Sequence, residues 1–232
     1  NGTVKPAIAG QFNGLSINGI TNVNDIAIKN NNGVSEIYAA VGDGIFPGTN
    51  KTTLFNPRGF GLYKSVDGGI NWVKLNLPLT DTGNEICPND IEIAVGGKVW
   101  VSSTDSRLYR NGGGKIFVST DNGSTFTLKH TVVGNGGGQR VEIEASNTTA
   151  DKIYVLAELA QASTTATIEC QILRTTDGFA TPPTELSLPN DTDSRSAIYG
   201  FTGAQAFYDL FIESDPVNDA NVYVGGLNIH KS

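Results

Sequence analysis

The sequence repeats one short pattern, GLYKSVDGGINW at residues 61–72 and KIFVSTDNGSTF at residues 115–126. Each stretch has an aromatic residue, a serine two positions later, an aspartate two positions after the serine, glycine-containing turn residues and a closing aromatic residue. A weaker copy, QILRTTDGFAT, begins at Gln171, with a threonine for the serine and no closing aromatic residue. The repetition predicts a protein built from similar structural units.

The copies recur at nearly constant spacing. The matching hydroxyl positions are Ser65, Ser119 and Thr175, and one further interval of the same size ends at Ser232. The last three residues, HKS, align with the YKS of the first copy, so we expect the sequence to stop within a fourth copy. The period is about 55 residues, which is typical of stacked or radially arranged units.

Two strand signals precede each copy. The first is a short alternating run, such as residues 25–28 and 90–93, and the second surrounds an aromatic residue, such as Tyr38 or Trp100. With one strand before the turn and one after it, each unit has four strands, the content of a propeller blade. We therefore predict an all-β fold, one partial β-propeller domain over residues 1–232, with antiparallel four-stranded blades near 20–79, 80–133 and 134–189 and an incomplete one at 190–232.

Composition narrows the class of partner. The 232 residues carry a formal net charge of −7, whereas proteins that bind nucleic acids need excess positive charge, so no nucleic-acid partner is expected. No apolar run approaches the roughly 20 residues that cross a bilayer, so the chain is not expected to be transmembrane. The sequence contains no methionine, so it either begins after an internal cleavage or is part of a longer gene product; we favour a mature secreted protein.

The stretches SVDGGINW and STDNGSTF resemble the Asp-box, or BNR, repeats of sialidases, sortilin-type receptors, xyloglucanase-like glycoside hydrolases and many secreted bacterial proteins. The likeness covers roughly residues 20–232. It implies a β-propeller with the boxes as turns at the blade rim, opposite the usual binding face. We expect each aspartate to accept a hydrogen bond from the N–H two residues on, and each closing aromatic side chain to pack. The box residues expected to be structural are Ser65, Asp67, Gly69, Trp72, Ser119, Asp121, Gly123, Phe126, Thr175 and Asp177.

The resemblance also implies which loops bind ligands. In these propellers the functional face is formed by the loops that enter the first strand and those that join the second strand to the third. The loops that map there are long and carry aromatic and arginine side chains, which suit sugars or protein side chains. The alternative is a set of solvated loops with scattered aromatic residues. The predicted binding residues are Phe46, Arg58, Arg107, Tyr109, Arg110, Arg195, Tyr199 and Phe201.

Three carboxylates are candidates for catalysis. Glu92 and Glu142 are assigned the same position in neighbouring units, where they either serve as acid and base or contact channel water, an arginine or backbone groups. Asp43 follows the second strand of the first unit, roughly where xyloglucanase-like enzymes place a catalytic aspartate, although its surroundings match poorly. His130 and His230 are isolated in the sequence, so no metal or other cofactor is expected.

The two cysteines, Cys87 and Cys170, are far apart in the sequence and lack a metal-binding spacing. Both map to the loop-bearing face, so they either form a disulfide or remain two unpaired buried thiols. The sequence leaves both possibilities open.

Two functions follow as hypotheses. The first is a secreted or cell-surface propeller that binds a glycan or a protein through its loop face. The alternative is a xyloglucanase-like or sialidase-like glycoside hydrolase whose active site is completed by other sequence. In either case three blades and part of a fourth should leave an open edge, to be closed by further blades or by a partner chain.

Overall fold

The computed structural model describes residues 22–43, 59–134, 136–160, 170–189, 201–203, 205–207 and 209–232. Within these ranges the chain forms fifteen β-strands and no helix. Accordingly, the described part of the chain has no helix that is long and apolar enough to cross a membrane.

The strands form four separate antiparallel sheets, each made of consecutive strands. The first contains β1 (Asn22–Asn31), β2 (Val34–Gly42), β3 (Gly61–Ser65) and β4 (Val73–Lys74); the second contains β5 (Cys87–Ile93), β6 (Val99–Thr104), β7 (Lys115–Ser119) and β8 (Thr127–Thr131). The third contains β9 (Gly138–Ala145), β10 (Ile153–Leu159), β11 (Cys170–Thr175) and β12 (Thr184–Leu186), and the fourth contains β13 (Phe211–Ser214), β14 (Val222–Gly225) and β15 (Ile229–Lys231). The predicted all-β propeller of small antiparallel blades is confirmed.

Three hydrophobic clusters join neighbouring sheets, and β6 and β10, the second strands of the two middle sheets, each contribute to two of them. In β10, Val155 and Ala157 pack with the second sheet, whereas Tyr154 and Leu156 pack with the fourth. Successive side chains of a strand point to opposite faces, so a strand with both faces covered needs apolar residues at every position. This explains why the second strands are nearly continuous apolar runs.

A large aromatic residue lies at the same place in the second strand of the first three sheets. Tyr38, Trp100 and Tyr154 are all fully buried. The Tyr38 hydroxyl donates a hydrogen bond to the carbonyl of Asn122 in the second sheet's turn (3.0 Å), and the Tyr154 hydroxyl donates to the carbonyl of Asp219 in the fourth sheet (2.7 Å). Each of these two tyrosines therefore fastens its sheet to the next one.

The first repeated turn is held by its serine and aspartate together. The Ser65 hydroxyl donates to the Asp67 carboxylate (2.8 Å) and accepts from the N–H of Gly69 (2.8 Å). Asp67 accepts from the N–H groups of Ile70 (3.1 Å) and Asn71 (2.9 Å), three and four residues on. The expected bond to the N–H two residues on is therefore not made, because the serine hydroxyl already binds that N–H.

The other two turns repeat this arrangement. Asp121 accepts from the Ser119 hydroxyl (2.7 Å), and Asp177 accepts from the Thr175 hydroxyl (2.9 Å). Hydrogen bonds to the charged form lower the pKa of Asp67 and of Asp121 to about 2, and they also lower the pKa of Asp177. These carboxylates are ionised and fully engaged in holding the turns.

The closing aromatic residues of the first two turns pack differently. Phe126 is buried between the first and second sheets, where we expected such side chains to pack. Trp72 is half-buried and packs on its own sheet, against Ala39, Val41 and Tyr63. The first sheet has no neighbour of described residues on this side, which explains the difference.

Of the two alternatives for the cysteines, a disulfide or two unpaired buried thiols, the structure has two unpaired thiols. Cys87 and Cys170 are buried and are not joined in a disulfide. Cys87 begins β5, and its thiol lies 3.4 Å from a carboxylate oxygen of Asp43. Cys170 begins β11 and packs in the cluster shared with the fourth sheet. The disulfide hypothesis is therefore wrong.

The two closing aromatic residues provide a matched stability test. We expect Phe126→Ala to lower the free energy of unfolding by about 3 kcal/mol, because it leaves a cavity between two sheets. Trp72→Ala should cost only about 1–2 kcal/mol, because this ring contacts one sheet and is partly in water. Urea denaturation of both variants measures the difference, and a larger loss for Trp72→Ala would contradict this view of the packing.

Candidate functional site

The loop between β6 and β7 belongs to the predicted binding face and is shaped by side-chain hydrogen bonds. Asp43, which is buried at the end of β2, accepts hydrogen bonds from the Ser106 hydroxyl (2.5 Å) and from the N–H of Leu108 (3.0 Å). Within the loop, the Ser106 hydroxyl accepts from the N–H of Tyr109 (3.0 Å), and the Asp105 carboxylate accepts from the N–H of Gly113 (2.8 Å). The first sheet therefore fixes the shape of a loop that belongs to the second.

This loop presents three of the predicted binding residues to solvent. Arg107 and Arg110 are exposed, and Tyr109 is 38% exposed. The Tyr109 ring meets Phe60 edge-on, with centroids 6.1 Å apart, so its orientation is fixed by packing. The result is an aromatic platform on a loop that also carries two exposed arginines. Asp43 was a candidate for catalysis. Its carboxylate instead accepts two hydrogen bonds from this loop and so holds the loop in shape.

The remaining predicted binding residues are not brought to this platform. Phe46, Arg58, Arg195 and Tyr199 lie outside the described residues. Phe201 is buried in the cluster between the third and fourth sheets, with its ring edge-on to His230 (5.8 Å). Its predicted role as an exposed binding residue is therefore wrong, because its side chain fills the core.

Carboxylates line the inside of the propeller, where the first strands of the four sheets lie side by side. A first strand is an edge strand, and its outward N–H groups have no strand partner. The carboxylate of Asp25 accepts from the N–H of Ile91 (3.0 Å), and that of Asp90 accepts from the N–H of Ile143 (2.7 Å). Each carboxylate thus binds the backbone of the following sheet.

A second tier of the same kind of contact lies two residues further along β5 and β9. Glu92 accepts from the N–H of Ala145, and Glu144 accepts from the N–H (3.2 Å) and hydroxyl (2.5 Å) of Ser214. Burial, together with the charges of Glu144, Glu213 and Asp25, raises the pKa of Glu92 to about 9. Glu92 is therefore protonated at neutral pH.

The strand register corrects the assumed equivalence of Glu92 and Glu142. Glu92 lies opposite Trp100 and Glu144 lies opposite Tyr154, so Glu144 is the counterpart of Glu92. Glu142 lies two residues earlier, at the level of Asp90. A slip of two residues keeps side chains on the same face of a strand, so the alternating pattern could not reveal it.

Glu142 is held by charged and polar neighbours. Its carboxylate accepts from Nε of Arg140 (2.5 Å) and from the amide of Asn89 (2.9 Å). Burial nevertheless raises the pKa of Glu142, and burial together with the charge of Glu142 raises that of Asp90. The carboxyl groups of Glu142 and Asp90 also interact with each other by a hydrogen bond.

Glu158, near the end of β10, adds another carboxyl group at the loop-bearing end. It accepts from the N–H of Arg140 (3.4 Å), and burial raises its pKa although the charges of Arg107 and Arg140 lower it. Across the described ranges, no three His, Cys, Asp or Glu side chains are grouped so that they could hold a metal ion. This end of the propeller thus brings together arginines and carboxyl groups whose pKa values are raised by burial.

Sequence reasoning missed Asp90, Arg140 and Glu158. A signal for Asp90 was present, because NDI occurs at residues 24–26 and again at 89–91. The spacing of Arg140 and Glu142, two positions apart in a strand, also places both side chains on one face. Glu158 has no comparable signal, since its neighbours come from other strands and sheets.

Comparison with known proteins supports the fold. No protein-family model matches the sequence, and no curated protein matches it. The structure of a GH74 enzyme from Niastella koreensis is similar with a TM-score of 0.62 at 19% identity, over 94% of this chain and 31% of that one. A GH74 xyloglucanase from Xanthomonas campestris is similar with a TM-score of 0.51 at 16% identity, over 85% of this chain and 25% of that one. This chain therefore spans less than a third of either enzyme, and at these identities the likeness shows the β-propeller fold alone.

The channel carboxyl groups predict an unusual dependence of stability on pH. The folded-state pKa of Glu92 is raised from 4.5 to about 9, so its contribution to stability is present below pH 4.5 and is lost as the pH rises toward 9. We expect the free energy of unfolding to fall by at least about 1 kcal/mol between pH 5 and pH 9. Below pH 4, protonation of Asp67 and Asp121 should reverse the trend. Urea denaturation from below pH 4 to pH 9 measures this dependence of the free energy of unfolding on pH.

Glu92→Gln should weaken this dependence and raise stability at pH 9, because the amide cannot ionise and its oxygen still accepts the hydrogen bond from Ala145. Glu185→Gln, at an exposed position of β12, is the control and should leave the dependence unchanged. Equal slopes for wild type and Glu92→Gln would contradict the assignment.

Proposed function

We propose that this protein is a secreted or cell-surface β-propeller module that binds a glycan through its loop face. The observation that carries the proposal is the exposed Tyr109 ring, which lies on a loop that also carries the exposed Arg107 and Arg110 and that the buried Asp43 fixes. A sugar ring stacks on such a platform through apolar contact, without needing opposite charge. A platform fixed before binding also loses little conformational entropy when the ligand arrives.

The fold supports a glycan as the ligand. Two similar structures are those of GH74 enzymes, one of them a xyloglucanase. We propose that the three repeated turns are Asp boxes with a structural role, because their carboxylates are engaged by hydroxyl and backbone groups of the same turn. The same aromatic platform would also suit a protein ligand, and this is the variant of our proposal.

A glycoside hydrolase is the second candidate. The raised pKa of the buried Glu92 and Glu142 favours it, since a general acid must be protonated near neutral pH. The hydrogen bonds of these groups argue for a structural role: Glu92 binds the backbone of the third sheet, Glu142 binds Arg140, and Asp43 binds the platform loop. Binding is therefore the function that the geometry supports better.

Replacement of the platform residue tests the binding proposal. Tyr109→Ala should weaken binding to xyloglucan or β-glucan oligosaccharides at least tenfold, because stacking on the ring is lost. Tyr109→Phe keeps the ring and should retain most of the affinity. A glycan array followed by calorimetry measures both variants, and unchanged affinity for Tyr109→Ala would reject the platform. Binding of no glycan at all would leave the protein-ligand variant of the proposal.

A second experiment separates binding from catalysis. The purified protein should release no reducing ends from β-glucan, xyloglucan or sialosides, because the candidate carboxylates are occupied by structural contacts. Hydrolysis that disappears in Asp43→Asn, Glu92→Gln or Glu142→Gln would replace the binding proposal with the hydrolase. Circular dichroism of each variant checks that loss of activity does not come from unfolding.

A further inference from the structure

The loop-bearing end of the propeller has an exposed aromatic side chain besides Tyr109. Phe207 shortly precedes β13, the first strand of the fourth sheet, and it is 46% exposed. It therefore lies where the chain enters a first strand, the kind of loop that we expected on the functional face. Its ring is open for stacking, as the Tyr109 ring is.

Arg140 ties Phe207 to the neighbouring sheet. The guanidinium Nη1 of Arg140 donates to the Phe207 carbonyl (3.4 Å), and its Nε donates to the Glu142 carboxylate (2.5 Å). Arg140 belongs to β9, so the segment that leads into the fourth sheet is attached to the first strand of the third. An aromatic residue whose backbone is held in this way loses little conformational entropy when a ligand arrives.

Glu158 and Arg107 connect this region with the platform loop. Glu158, near the end of β10, accepts a hydrogen bond from the backbone N–H of Arg140 (3.4 Å). The charges of Arg107 and Arg140 both act on the Glu158 carboxyl group, so Arg107 approaches this group from the platform loop. The order across the loop-bearing end is therefore Tyr109, Arg107, Glu158, Arg140 and Phe207.

The polar side chains of this row have hydrogen-bonding capacity left. Within the described residues, the Glu158 carboxyl group accepts the bond from Arg140, whereas a carboxylate can accept about four. Arg107 is exposed and forms no ion pair with the part of the chain that the structure describes. Sugar hydroxyl groups both donate and accept, so they match a row that offers both kinds of partner. Because the row combines arginines with carboxyl groups, it suits an uncharged sugar.

We propose that the polar row and Phe207 extend the binding surface that begins at Tyr109, and that the ligand is a neutral β-linked oligosaccharide spanning both rings. This inference rests on the proposed function of glycan binding. A single sugar covers one aromatic ring, whereas two rings separated by polar side chains need a chain of several sugars. Extended β-linked chains present apolar sugar faces along their length, which suits two separate stacking positions. Arg107 and Glu158 bind the hydroxyl groups between them.

Oligosaccharides of two lengths test the inference on the full chain. Cellobiose covers only the Tyr109 platform, whereas the longer cellohexaose also reaches Phe207. Phe207→Ala should weaken cellohexaose binding at least about tenfold and leave cellobiose binding unchanged, because one of two stacking contacts is lost. Phe207→Tyr keeps the ring and should bind both sugars as wild type does. Titration calorimetry measures the affinities, and circular dichroism checks that each variant is folded.

Val217→Ala and Tyr109→Ala complete the experiment. Val217 is 85% exposed in the turn between β13 and β14, at the opposite end of these strands, so its replacement should change neither affinity. Tyr109→Ala should weaken the binding of both sugars. If it does so while Phe207→Ala weakens neither, the inference is wrong and glycan binding stands. Equal losses for both sugars in Phe207→Ala would also contradict it, because both rings would then contact one short ligand.

A wild-type protein that binds neither cellobiose nor cellohexaose would overturn the inference as well. The glycan array then decides separately on the proposed function, since binding of other glycans would preserve it and binding of none would leave only the protein-ligand variant.

Discussion

The backbone of the four innermost strands sets the main constraint on this fold. Each of these strands is paired on one side only, and its other side faces the crowded centre, where an unpaired N–H is costly. Asn24 and Asp25 meet this need together: the amide donates to the Pro88 carbonyl (2.9 Å) and the carboxylate accepts from the Ile91 N–H (3.0 Å). Asn89 and its neighbouring aspartate repeat the device on the third sheet. Side chains thus replace the missing partner strand.

This solution gathers acidic groups in a small volume. Asp90, Glu92, Glu142 and Glu144 all have raised pKa values, with burial as the largest cause for each. For Glu92, whose pKa is raised to about 9, protonation resolves the conflict, because a neutral carboxyl group still accepts a hydrogen bond through its carbonyl oxygen and avoids the repulsion. The same groups would suit acid–base catalysis, but their hydrogen bonds give them a structural task. Asp90, Glu92 and Glu144 bind the backbone of the next sheet, and Glu142 binds the side chains of Arg140 and Asn89. A raised pKa alone therefore does not identify an active site here.

The loop face depends on contacts between sheets in a similar way. Asp43 directly follows a strand of the first sheet, yet its carboxylate shapes a loop of the second. The exposed ring of Tyr109 is held in place by Phe60, which also adjoins a strand of the first sheet. The platform is thus a product of two adjacent blades, and its geometry relies on the packing between them.

The sequence alone determined the architecture, because the box turns recur at a nearly constant interval and hydrogen bonding within a turn is local. Thus Ser65, Asp67 and Gly69 could be assigned from their spacing, even though the bonding pattern differed in detail. Only the tertiary structure decided the register of Glu142, because a slip of two residues preserves the alternation of faces. It also decided that Phe201 is buried, since the side chains that cover it come from distant parts of the chain. Local patterns fix elements, whereas burial and ionisation depend on neighbours that meet only in the folded molecule.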